Sequence, residues 1–115
     1  MSDLNKPLDT CSPWDTLVGM KEIAETHEFS KWLDKLKDVQ ALAIIQTRID
    51  RLSHDLPGDV APVGEGVSEL RIDFGPGYRI YYIQRGDILI VLLAGGDKKT
   101  QAKDIQLALK LAREL

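Results

Sequence analysis

Hydrophobic and polar positions change their spacing along the chain, and each change marks an element. Over residues 68–74 they alternate. Leu70, Ile72 and Phe74 point one way, and Glu69, Arg71 and Asp73 the other, the period of a half-buried strand. Gly75-Pro76-Gly77 reads as a turn, because proline presets φ and glycine supplies a positive φ. Residues 78–84 are aromatic and β-branched, so strand-like. Gly86-Asp87 marks a second turn, and residues 88–94 form a continuous apolar run, as expected of a strand covered on both faces. Connections this short leave little besides an antiparallel three-strand meander. The stretch 67–101 is the centre around which the rest of the chain is arranged.

Earlier in the chain the period lengthens. Residues 21–25 predict a short strand with Ile23 inward. Thr26 is a good helix N-cap, and Glu28 sits in the first turn, where the helix dipole favours negative charge. Phe29, Trp32, Leu33 and Leu36 then make one helical stripe. Asp38 caps a second helix whose stripe is Val39, Leu42, Ile45, Ile49 and Leu52. Arg48 and Arg51 lie opposite that stripe and read as a solvated face. Residues 56–66 carry three glycines and two prolines and read as a loop. After Gly95-Gly96 a last helix has the stripe Ile105, Ala108, Leu109, Ala112 and Leu115, which Leu107 and Leu111 widen. The predicted order is β-α-α-β-β-β-α. This is an α+β fold: a small, mostly antiparallel sheet with an N-terminal helical hairpin packed on one face.

Residues 1–19 hold no period and read as a loose N-terminal extension ahead of one domain, 20–115. The alternative is that Trp14 and Leu17 dock the extension onto the body. Translation starts at Met1 or at Met20. The 115 residues suit a single domain with a modest core. No apolar run approaches the roughly 20 residues of a membrane span, and the polar N-terminus lacks a secretory pattern. One cysteine, Cys11, permits no intramolecular disulfide and fits a reducing cytoplasm. The net charge of −3 argues against broad nucleic-acid binding and leaves room for a local basic site.

Such a site is suggested by the meander. It folds Arg71, Arg79 and the pair Lys98-Lys99 towards one edge of one face. Cations converging beside backbone N–H groups at a helix start would bind an anion, most plausibly phosphate. The competing reading pairs each arginine with a carboxylate, and Glu69 and Asp73 are available. His27 and His54 read as surface residues. No Ser/His/Asp or Cys/His set is suggested, and no Cys/His cluster points to zinc. Tyr78, Tyr81 and Tyr82 could stack bases, although cross-strand packing accounts for at least two of them.

The runs ELRIDFGPGYRIYY and GGDKKTQAKDI, with EFSKWLDKL in the first helix, resemble the HigB-type addiction module killer branch of the RelE/ParE toxin superfamily. The resemblance covers residues 20–115. It implies a cytoplasmic toxin of a type II toxin–antitoxin system, neutralised by a cognate antitoxin, and leaves open whether the complex binds operator DNA through that antitoxin. It implies ribosome-dependent cleavage of mRNA without metal or other cofactor, by attack of a 2′-hydroxyl on the adjacent phosphate. By position, Arg79 stabilises transition-state charge, Arg71 binds phosphate, and Lys98 is a second charge or proton donor. Lys99, Tyr81 and Gln101 are implied as substrate-binding. Many superfamily ribonucleases carry a His or Tyr near the C-terminus, and this chain has neither after Tyr82. The general base is therefore open among Asp97, Tyr81 and Lys98. That departure motivates the alternative of a ParE-like inhibitor of DNA gyrase acting by binding alone.

Overall fold

The computed structural model describes residues 20–115, so the expectations for the N-terminal extension lie outside the described residues. Among the described residues the fold is α+β, with a five-stranded mixed sheet and three helices. Strand β1 (Glu22–Glu25) leads into α1 (His27–Lys35) and α2 (Val39–Ser53). Strands β2 (Val60–Gly64), β3 (Val67–Ile72), β4 (Tyr78–Arg85) and β5 (Leu89–Gly96) follow. A 3₁₀ turn, Lys98–Thr100, opens α3 (Gln101–Arg113). The sheet order is β1-β5-β4-β3-β2. Strand β1 pairs parallel to β5, and the other pairings are antiparallel.

Two local devices start α1 and α2 as their sequences suggest. The Thr26 side chain accepts from Phe29 N, and the Asp38 side chain accepts from Gln40 N and Ala41 N. Two expectations need correction. The run 56–66 is not all loop, because β2 lies within it. As an edge strand, β2 tolerates Pro62, whose missing N–H breaks no ladder bond. The helical hairpin is also corrected. Leu36 and Asp38 are extended, and this break sends the two helices onto the sheet separately. Helix α1 runs along β5, while α2 meets the same face through Ala41, Ile45, Ile49 and Leu52. Ala41 replaces Val39 in the predicted stripe, and Val39 is 78% exposed.

The two faces carry separate cores. Leu70, Ile72, Ile80, Tyr82, Ile90 and Leu92 pack under α1 and α2. On the other face Val67, Tyr81, Ile83, Val91 and Leu93 pack under Ala108 and Ala112 of α3. The helices thus sandwich the sheet, as the apolar run in β5 requires. A bulge lets Tyr81 pair with Ala94 and Tyr82 with Leu92, leaving Leu93 unpaired. Beyond the bulge Gly95 faces α1 and Gly96 faces α3. A Cβ on Gly95 would enter the Trp32 ring, and one on Gly96 would strike Asp104 and Thr100.

Candidate functional site: a cationic cleft at the open end of the sheet

Arg71 and Arg79 are direct cross-strand partners in β3 and β4. They lie two residues along from Glu69 and Tyr81, which are also partners, so all four occupy the α3 face. Strand β5 ends at Gly96, opposite Arg79, and Lys98 follows within two residues. Arg71, Arg79 and Lys98 line one cleft of about 370 Å³ together with Asp59, Asp73 and the Gly75-Pro76-Gly77 turn. The Lys98 stem lies against Gly77.

Each cation is held differently. Arg71 is partly exposed and ion-paired to Asp59, with Nη2 3.0 Å from Oδ1. The Arg71 carbonyl accepts from Arg48 Nη1 at 2.9 Å, and Arg48 Nη2 donates to the Pro57 carbonyl at 3.0 Å. Arg48 is therefore not simply a solvated residue. It ties α2 to the strand end and loop that form one cleft wall. Arg79 is only 9% exposed. Its Nη1 stands 3.4 Å from Glu69 Oε1, and its Nε is buried with no hydrogen-bond partner among the described residues. Lys98 is exposed and has no ion-pair partner among the described residues.

Behind Arg79 lies a buried polar cluster. Glu69 is 2% exposed. Its Oε2 accepts from Tyr81 Oη at 3.0 Å and from Gln101 Nε2 at 2.8 Å. Burial, with the Glu69 charge next in weight, pushes the Tyr81 phenol far above its usual range. Tyr81 therefore stays protonated at neutral pH, and as a buried side chain it offers no stacking surface. Lys99 is exposed beside the cleft but does not line it. Gln101 contacts Glu69 rather than the cleft. Asp97 Oδ1 accepts from Lys99 N at 2.9 Å and Thr100 N at 3.3 Å. The helix-start N–H groups expected to meet an anion are thus already capped by Asp97.

Sequence reasoning brought Arg71, Arg79 and Lys98 together, and it foresaw carboxylate pairing of the arginines. It missed that Arg71 takes Asp59, a residue of the presumed loop, and that Asp73 instead lines the cleft. It also missed the cluster around Glu69. The available signal was the direct placement of Glu69 opposite Tyr81 once the turn register is drawn. Among the described residues no group of three or more His, Cys, Asp or Glu is placed to hold a metal ion. No helix among them is long and apolar enough to cross a membrane.

A model of the phage-derived protein Gp49-like family (DUF891) matches residues 31–114. The chain belongs to the Gp49-like family. The match includes both cleft arginines, Lys98, Glu69 and Gln101. An uncharacterized protein of Haemophilus influenzae is 49% identical over 94 residues, covering 82% of this Gp49-like chain and 95% of the relative.

Proposed function

We propose that this Gp49-like protein is the toxin of a type II toxin–antitoxin pair, that it is RelE/HigB-like, and that it cuts mRNA on the ribosome. The observation that carries the reading is the convergence of Arg71, Arg79 and Lys98 on one cleft. Two arginines directly opposite on a sheet repel, and a bound phosphate between them relieves that repulsion. In the proposed reaction the 2′-oxygen bonds to phosphorus as its proton leaves, and the bond to the 5′-oxygen breaks. Arg79 and Arg71 carry the developing charge on the phosphoryl oxygens. Lys98 protonates the leaving 5′-oxygen. Asp97 is spent on the helix cap and Tyr81 is buried and protonated. This leaves Asp73, a cleft carboxylate without an ion-pair partner among the described residues, to accept the 2′-hydroxyl proton. A cognate antitoxin would neutralise the toxin.

Arg79→Ala is a poor test, because it strands Glu69 as a buried charge, at a cost of roughly 3–5 kcal/mol. Lys98→Ala is clean, since Lys98 is exposed and such a change shifts stability by no more than about 0.5 kcal/mol. Transcript 5′ ends are mapped after brief induction of the wild type and of Lys98→Ala. New ends inside reading frames are expected in the wild type, at least about tenfold fewer in the variant at equal protein level. Growth arrest without new ends refutes the nuclease reading and favours DNA gyrase as the target.

A further inference from the structure

Glu69 is an expensive residue where it stands. A carboxylate buried in a sheet face costs several kcal/mol unless its oxygens are satisfied, and an apolar residue would fill the same space. Its oxygens are used unequally. Oε2 takes the Tyr81 hydroxyl and the Gln101 amide, at 3.0 and 2.8 Å, while Oε1 meets, among the described residues, only Arg79 Nη1, at 3.4 Å. Tyr81 comes from β4 and Gln101 from the first turn of α3, so two separate elements fix the carboxylate. The fixed carboxylate occupies one nitrogen of Arg79, and Nε is left buried without a partner among the described residues. A guanidinium binds a phosphate best through two adjacent N–H groups, and the edge containing Nε is the one left unused.

We propose that Glu69, which does not line the cleft, is a positioning residue for Arg79. Tyr81 and Gln101 pin Glu69, and Glu69 turns the guanidinium so that its Nε edge is offered to an anionic phosphoryl group in the cleft. Gln101 and Tyr81 then serve the site through Glu69 and not by touching substrate. This inference rests on the phosphate-binding reading of the cleft.

The test follows the side-chain Nε–Hε signal of Arg79 by ¹⁵N NMR while inorganic phosphate is titrated into the full chain. The signal is assigned by its absence in Arg79→Lys. In the wild type, phosphate is expected to shift it saturably. In Glu69→Gln, with the backbone spectrum still that of a folded protein, phosphate affinity at Arg79 is expected to fall about tenfold, the loss of one charge-assisted bond. Equal affinity in the two proteins overturns the positioning role while leaving the phosphate cleft standing. No response in the wild type overturns the phosphate reading, and the inference falls with it. If Glu69→Gln does not fold, Gln101→Ala decides. It removes one pin from a half-buried position, and an unchanged phosphate affinity in it overturns the proposal.

Discussion

Tyr81 lies behind the cleft without entering it, hydrogen-bonded to Glu69. Its phenol is held far above the ordinary value of 10.0, first by burial and then by the Glu69 charge. The folded chain therefore keeps this proton more tightly than the unfolded chain does. The resulting stability is fully present below pH 10.0 and is lost as pH rises beyond it. Tyr81→Phe should cost about 1–3 kcal/mol at neutral pH, because Glu69 loses a donor. The same variant should lose less stability than the wild type on moving above pH 10.0. Burial also raises Tyr82, so some alkaline loss will persist. Urea midpoints of both proteins at neutral and alkaline pH check this, and parallel pH profiles would refute it. The depth of Glu69 was hidden in the sequence, since a period of two tells which face a residue occupies and not how deeply it is covered. Arg71, Arg79 and Lys98 were legible because short turns fix the register and register brings them together.

At the scale of the element, β5 does the most. Its bulge at Leu93 reverses the side-chain phase, so that Gly95 and not Gly96 faces α1, while Gly96 faces α3. Gly95→Ala would push a methyl group into the Trp32 ring, which packs beside Phe29 and Tyr78. Overpacking of this kind costs about 1–3 kcal/mol. The melting temperature should fall, and Trp32 fluorescence, read in a Trp14→Phe background, should shift to the red. An unshifted spectrum at equal stability would place the Trp32 ring elsewhere. The glycine pair was visible as a strand end, but its packing role was not, because the bulge that sets its phase has no sequence signal. Strand β2 was hidden for the opposite reason. Its Pro62 and Gly64 read as breakers, and only its position at the sheet edge makes them acceptable.

For the whole molecule, the charge distribution matters more than the total. The chain is acidic, with a net charge of −3, and three of its cationic side chains, Arg71, Arg79 and Lys98, converge on a small cleft that also holds Asp59 and Asp73. A surface like this should bind single-stranded RNA with weak salt dependence. Three cations predict a log–log slope near about −2. Fluorescence anisotropy with a short labelled RNA over a series of salt concentrations would measure it. A slope more than about twice as steep would mean that a broader basic surface takes part.

The parallel pairing of β1 with β5 also sets an order of events during synthesis. Thr26 Oγ1 donates to the Leu93 carbonyl across 67 residues of chain, and Glu22 pairs with Leu89. The first described strand therefore has no partner until most of the chain has left the ribosome. Contacts this distant in sequence form slowly, because loop closure must come first. The cleft also needs β3, β4 and the residues after β5. A truncated translation product would lack both the strand that completes the sheet and the lysine that completes the cleft.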